Sequence, residues 1–283
     1  MIGVTGSTGF IGAHLMQQLG ESAVPVDMHD IVDSSELDRV LRTHGCSSLV
    51  HLASPLPKQG SGDQGGLEQE IVGLTELCVE AVARLEHCHL VLLSSVRVHP
   101  NGCTVFTSDA PVQPIDGYGK GKARAELVCA SAADDMHPVT VLRPASVQGV
   151  SLDGDVRGLI GVFAEQAVLD GEVRVMGDGS STKDMLHVSD VVAAIVAALD
   201  APPTQVGAVR VLPIGSGDGI SVLELGQGVA ARIGAVIRHI DADPDDLSGV
   251  VDVGPALTQI GWSAQTNVED IIEEIVVAVG SGG

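Results

Sequence analysis

Val4-Thr5-Gly6-Ser7-Thr8-Gly9-Phe10-Ile11-Gly12 sets three glycines between an apolar run and a stretch of helical periodicity. The run Ile2–Thr5 is short, continuous in apolarity and rich in strand formers, while Ile11, Leu15 and Leu19 recur every four residues. A strand therefore turns sharply into a helix. Gly6 permits the tight turn, Gly9 lets backbone approach a bound group, and Gly12 lets helix and strand pack closely. The helix N-terminus beyond them offers unpaired N–H groups and a positive dipole end, which suit a pyrophosphate. A bare tight turn is the alternative reading of a lone glycine triplet; the strand before it and the helix after it favour dinucleotide binding.

The same alternation continues outward. Ala23–Val26, Ser48–Ala53, His89–Ser94 and Val139–Arg143 read as further buried parallel strands. Ile71, Leu74, Cys78, Ala81 and Leu85 mark one intervening helix, and Ala123 to Ala133 continues another. Strands alternating with helices imply an α/β protein with a doubly wound parallel sheet and ligands beyond the carboxyl ends of the strands. After Arg143-Pro144 the texture changes to glycine-rich loops, Gly149–Gly161 and Gly177–Ser181, and shorter elements. Residues 151–184 and 216–283 are read as a smaller substrate-covering lobe. Residues 1–150 form the nucleotide-binding part, to which Val188–Leu199 and Arg210–Ile214 return. A final amphipathic helix carries Val268, Ile271, Ile272, Ile275, Val276 and Val279, and Gly280–Gly283 reads as a frayed tail.

Tyr118-Gly119-Lys120-Gly121-Lys122 supplies a phenol and an ammonium four residues apart, on one face if a helix starts here. A free phenol titrates near 10 and exchanges protons poorly at neutral pH. A nearby ammonium, with the charge of an oxidised nicotinamide, favours phenolate and brings the group toward its working range. A helix start with a surface lysine is the alternative. Tyr118 is the one tyrosine of the chain and there are four lysines, Lys58, Lys120, Lys122 and Lys183, so chance seldom produces the pair.

Composition bounds the rest. The net charge of −22, with 15 Lys and Arg in 283 residues, argues against a nucleic-acid surface, and 45% hydrophobic residues exclude a disordered chain. The five cysteines, Cys46, Cys78, Cys88, Cys103 and Cys129, are scattered without metal or redox spacing, as expected for reduced thiols in a cytoplasmic protein. No secretory signal or membrane span is expected.

The Gly-x-x-Gly-x-x-Gly spacing with Tyr118 and Lys122 resembles the extended short-chain dehydrogenase/reductase family, also called the NAD-dependent epimerase/dehydratase family. Leu142-Arg143-Pro144, Gly177-Asp178-Gly179, Lys183-Asp184-Met185-Leu186-His187-Val188-Ser189-Asp190, Ile214-Gly215-Ser216-Gly217 and Ile260-Gly261-Trp262 extend the resemblance over nearly the whole chain. It implies a Rossmann-type fold with a C-terminal α/β substrate lobe, and a homodimer formed through the helices near Leu67–Leu85 and Tyr118–Ala133. It implies Ser95, Tyr118 and Lys122 as catalytic residues. For an NAD or NADP cofactor it implies contacts from Gly6, Thr8, Gly9, Phe10, Ile11, Asp27, Asp30, Ile31, Leu52, Ala53, Ser54, Ser94, Tyr118, Lys122 and Pro144. The carboxylate of Asp27, with no Arg or Lys beside it, leans toward NAD. For a nucleotide-sugar substrate it implies Ser95, Arg97, Ser146 and Lys183, with Arg143 as a second cation near the diphosphate unless it is structural.

Departures from the family pattern shape the expected reaction. Lys183 replaces an arginine, Glu70 and Ser146 replace asparagines, and His99 replaces a tyrosine. Val96-Arg97 stands where dehydrating relatives carry Asp-Glu, decarboxylating relatives a Glu, and relatives that epimerise beside a ketone a Cys. Without a second acid/base group, hydride transfer at one carbon is expected. The first expectation is an NDP-4-keto-6-deoxyhexose 4-ketoreductase. A sugar-nucleotide epimerase with tightly held cofactor, a reductase of a non-nucleotide ketone and a non-catalytic dinucleotide sensor are the alternatives.

Overall fold

The computed structural model describes residues 1–56, 64–205, 207, 209–241 and 247–281. Lys58 and the last two glycines of the Gly280–Gly283 tail lie outside the described residues. The first half runs β1 (Ile2–Thr5), α1 (Phe10–Leu19), β2 (Ala23–Val26), α2 (Ser34–Thr43), β3 (Ser48–His51), α3 (Gln64–Val82), β4 (His89–Leu93), β5 (Val105–Phe106), α4 (Gly117–Ser131) and β6 (Val139–Pro144). The second half runs β7 (Ser146–Val150), β8 (Val156–Arg157), α5 (Gly158–Asp170), β9 (Glu172–Met176), β10 (Thr182–His187), α6 (Val188–Asp200), β11 (Val209–Ile214), β12 (Gly219–Ser221), α7 (Val222–Ile233), β13 (Val236–Ile240), β14 (Val250–Val251), α8 (Gly254–Ile260) and α9 (Val268–Ser281).

Six strands form one parallel sheet in the order β11-β6-β4-β3-β1-β2. The chain leaves β1 for β2 on one side and returns to β3 on the other, so the topological switch lies between β1 and β3, directly after the glycine turn. The strands end side by side. Thr5 pairs with Val26 and His51, His51 with Leu92, Leu93 with Leu142, and Pro144 with Ile214. Every residue that follows these ends is delivered to one edge of the sheet.

The strand ahead of Ser95, β4, is the fourth of the chain. Residues 27–47 hold α2 and no further strand, so β2 is the sheet edge and the Asp27–Asp30 segment is short. Val188–Leu199 returns to the sheet as the helix α6, which buries Val191, Ala194, Ile195 and Ala198 on it, while β11 is the strand that closes the far edge.

Three apolar clusters hold the molecule. One lies under α1 and α6, a second under α2, α3 and α4, and a third joins α5, α7 and α9 beyond the main sheet. Smaller sheets, β12-β10-β7-β8 and β13-β9, accompany this last cluster. Asp190 and Trp262 stitch the C-terminal segment to α6: the Asp190 carboxylate accepts from the Gln265 and Thr266 amides, and Trp262 Nε1 donates to the Asp190 carbonyl. All five cysteines are unpaired, and among the described residues no helix is long and apolar enough to cross a membrane.

Candidate active site

The glycine turn is built from backbone, with no room to spare. Gly6 has φ +66°, and a Cβ there would stand 2.7 Å from the Ala53 amide nitrogen across the switch point. A Cβ on Gly12 would fall 2.0 Å from the Gly6 carbonyl oxygen. The Gly9 amide donates to that same carbonyl at 3.0 Å, and α1 starts at Phe10 with no side chain capping it. Its free N–H groups are thus available to an anion, so the cradle fits the pyrophosphate of a dinucleotide.

Thr5 and His51 fasten the floor of this crevice. The Thr5 hydroxyl oxygen accepts from the Leu52 and Ala53 amides at 3.2 Å each and lies 2.8 Å from His51 Nδ1. Thr75 donates its own hydroxyl to the Ile71 carbonyl, so its oxygen must accept from His51 Nε2, 3.2 Å away. Burial, with the Lys122 charge nearby, lowers His51 to about 3, which keeps the ring neutral. Leu52, Ala53 and Ser54 continue from β3 along the sheet edge, half-buried. Thr8 and Gly9 are exposed at the turn, whereas Phe10 and Ile11 are half-buried. At the end of β2, the exposed Asp27 accepts from the His29 amide at 2.9 Å; Asp30 is exposed, and Ile31 packs on the second core cluster.

The phenol–ammonium pair stands on α4, above the same edge. Asp116 caps the helix by accepting from the Gly119 amide at 2.6 Å, and its other oxygen accepts from Arg97 Nε at 2.9 Å. Gly119 and Gly121 permit the approach: a Cβ at the first would stand 2.3 Å from the Arg97 carbonyl, and at the second 2.8 Å from Ile71 of α3. Lys122 Nζ lies 5.7 Å from the Tyr118 ring centroid and donates to the Leu93 carbonyl at 2.8 Å. Ser95 follows β4, and its hydroxyl oxygen accepts from the Arg97 amide at 3.2 Å, which leaves the hydroxyl hydrogen to donate elsewhere.

Burial governs the protonation of this pair. It pushes the Tyr118 phenol up to about 12, against the pull of the Arg97 charge, and brings the Lys122 amine down to about 8. The expected acidification of the phenol draws on the ammonium together with the charge of an oxidised nicotinamide; in the chain alone, desolvation outweighs the neighbouring charges and favours the neutral phenol.

A cavity of about 420 Å³, within the range of small-molecule sites, opens against the residues that follow Ser95 in the chain; Ser95, Tyr118 and Lys122 are not themselves among its lining. Val96 and Arg97, directly after Ser95, and Ala145 and Ser146, directly after Pro144, line it together with Phe106. Leu159, Phe163, Gln166, Arg174, Met176 and Lys183 line it from the second half of the chain. Lys183 Nζ donates to the Leu247 carbonyl at 2.6 Å, and Ser146 Oγ accepts from Gln148 Nε2 at 2.9 Å. Asp184 also borders the cavity, but its carboxylate accepts from Ser216, Gly217 and Val251 and holds the loops together. His99 is fully buried and stacks on Phe106.

Two of the residues named for ligand contacts have side chains that bond within the protein. Ser94 donates its hydroxyl to Glu126 at 2.5 Å, and Arg143 grips the same carboxylate at 2.9 and 2.7 Å. Arg143 is thus bound to Glu126 in this fold, and the cations that line the cavity are Arg97, Arg174 and Lys183. Sequence reasoning missed Asp116, an N-cap signature just ahead of the Tyr118 helix, and Glu126, one turn beyond Lys122.

A Rossmann-type sheet with a glycine cradle at its switch point is the architecture of dinucleotide-dependent enzymes of the short-chain dehydrogenase type. The profile of the NAD dependent epimerase/dehydratase family matches residues 2–211, and the chain belongs to that family. It is 22% identical over 312 residues to dTDP-4-dehydro-6-deoxyglucose reductase of Escherichia coli, covering 98% of this chain and 96% of that one. It is 25% identical to dTDP-L-rhamnose 4-epimerase of Burkholderia thailandensis, covering 96% and 93%. The structure of MoeE5 in complex with UDP-glucose and NAD superposes with a TM-score of 0.86 at 27% identity, over 99% of both chains.

Proposed function

We propose that this enzyme reduces the C4 ketone of an NDP-4-keto-6-deoxyhexose with NADH. The observation that carries the reading is the placement of Tyr118: Lys122 Nζ lies 5.7 Å from its ring centroid and donates to the Leu93 carbonyl, two residues before Ser95, so phenol, ammonium and hydroxyl stand together as one proton-donating group, as ketone reduction requires. When bound, the dinucleotide supplies the hydride. Gly6, Thr8, Gly9 and the α1 N-terminus would hold its pyrophosphate, and Asp27 the adenosine ribose, which favours NADH over a 2′-phosphorylated cofactor. The Ser95 hydroxyl donates to the ketone oxygen and Tyr118 delivers the proton to it. Lys122 orients the nicotinamide ribose and, as an ammonium, supports the phenol as it loses charge balance.

The cavity supports the substrate class. Val96, Phe106 and Ala145 give its lining an apolar part, which suits the methyl group of a 6-deoxy sugar. Lys183 and Arg174 are the cations proposed for the diphosphate, and residues 151–184 and 216–283 serve as the substrate lobe. Among the described residues that line the cavity, none supplies a second acid/base group; the one carboxylate, Asp184, is committed to four loop donors.

A 4-epimerase is the second reading, favoured by the likeness to the rhamnose 4-epimerase. It would use the same Ser95, Tyr118 and Lys122. Loss of reduced-nicotinamide absorbance with a panel of 4-keto-6-deoxy sugar nucleotides separates the two. A ketoreductase consumes one NADH per sugar; an epimerase is purified with NAD in place and consumes none. A homodimer through the outer faces of α3 and α4, where Leu127 stays exposed, belongs to the same proposal and is read by sedimentation.

A further inference from the structure

Below the catalytic group lies a charged network that the proposed reaction does not use directly. Glu126 is buried on α4, one turn after Lys122, and accepts from three donors on two strands' ends. Ser94 donates to its Oε1 at 2.5 Å, Arg143 Nε to the same oxygen at 2.9 Å, and Arg143 Nη2 to Oε2 at 2.7 Å. Ser94 stands between Leu93, the acceptor for Lys122, and Ser95. Its amide in turn donates to the Leu142 carbonyl of β6 at 2.7 Å, next to Arg143.

We propose that Glu126 is a positioning residue for the catalytic group, clamping the ends of β4 and β6 to α4 so that Ser95, Tyr118 and Lys122 converge. The inference rests on the catalytic reading above. A carboxylate that only filled space here would be an expensive choice, since a buried ion pair seldom gains over apolar packing. Its placement gives it a second effect. The groups that face Lys122 are Tyr118, Glu126 and Cys129 on α4 and His51 from β3, with Cys78 of α3 behind His51. The thiols of Cys129 and Cys78 are pushed far up by burial, the former to about 12, and His51 is held neutral. Against the cost of burial, Cys129 and Glu126 both favour the Lys122 ammonium, and with the Cys129 thiol pushed up the Glu126 carboxylate is the acidic group of this set.

The test compares E126Q, E126D and the double variant E126Q/R143M, in which no unpaired charge is left buried. NADH affinity by titration calorimetry and kcat for ketone reduction are each followed against pH. In E126Q the alkaline fall of both moves down by roughly one pH unit, as expected for loss of a neighbouring opposite charge. E126D, which keeps the charge on a shorter stem, retains the wild-type position with reduced kcat. The double variant folds and keeps the shifted profile, and it decides the matter where E126Q does not fold. An unshifted NADH-affinity profile in the double variant overturns the proposal and makes Glu126 a structural residue. Y118F, run alongside, isolates the underlying reading: full activity there defeats the catalytic assignment, while the NADH-affinity profiles still test Glu126.

Discussion

Lys122 Nζ donates to the Leu93 carbonyl at 2.8 Å, joining the helix that bears Tyr118 to the last residue of β4, two positions before Ser95. One hydrogen bond thereby sets the relation between the phenol, the ammonium and the serine. A lysine so placed cannot be exchanged for arginine, whose rigid fork would not fit a single carbonyl under the helix. It also explains why the amine is buried: the acceptor lies inside the sheet edge, and reaching it removes Nζ from water.

The first consequence concerns Tyr118. Y118F is expected to lower kcat for ketone reduction by about 10²- to 10⁴-fold, the usual worth of a positioned general acid. KM and the melting temperature should stay close to wild type, because the ring still packs on the second core cluster. Steady-state kinetics with thermal melts check both halves.

The pH dependence follows from Lys122 rather than from Tyr118. The amine titrates at about 8, so its ammonium, and the support it gives to ribose and phenol, is lost as pH rises through that value. The phenol at about 12 remains a donor throughout. The kcat/KM for reduction should therefore fall on the alkaline side with a midpoint near that of the amine. A flat profile up to roughly pH 10 would contradict this.

The glycine cradle gives a paired prediction. G12V places side-chain atoms against the Gly6 carbonyl, 2.0 Å from the added Cβ, and should abolish dinucleotide binding while costing about 1–3 kcal/mol of stability. Gly73 in α3 has nothing within 4 Å of an added Cβ. G73A should leave binding intact and stabilise by about 0.5–1 kcal/mol through helix propensity. Calorimetry and chemical denaturation read the contrast.

Cofactor choice rests on Asp27. D27A removes the proposed acceptor for the adenosine ribose hydroxyls and should raise the KM for NADH about tenfold, the worth of one hydrogen bond to a charged group. The same change removes the repulsion toward a 2′-phosphate, so the NADPH to NADH ratio of kcat/KM should rise. Parallel kinetics with the two cofactors measure it.

Much of this site was legible in the sequence because strands delimit it. Five strands of the main sheet begin where they were expected and β11 begins one residue earlier, at Val209; parallel register then carries Gly6, Ala53, Ser95 and Pro144 to one edge without further information. Tyr118 and Lys122 were legible from their four-residue spacing. What sequence could not give was long-range charge pairing. Nothing local shows that Arg143 turns to Glu126 instead of a diphosphate, or that Ser94 turns down and Ser95 does not. Gly119 and Gly121 looked like spacers between functional residues; their role is contact with Arg97 and Ile71, both distant in sequence.

The central claim is that Tyr118 and Ser95 handle one carbonyl carbon and touch no neighbour of it. Reduction with deuterium-labelled NADH, followed by NMR of the sugar product, tests it most directly. One deuteron is expected at C4 and, in a companion reaction run in D2O with unlabelled NADH, no solvent deuterium at C3 or C5. Solvent deuterium beside the carbonyl, or product bearing no label from the cofactor, would contradict it.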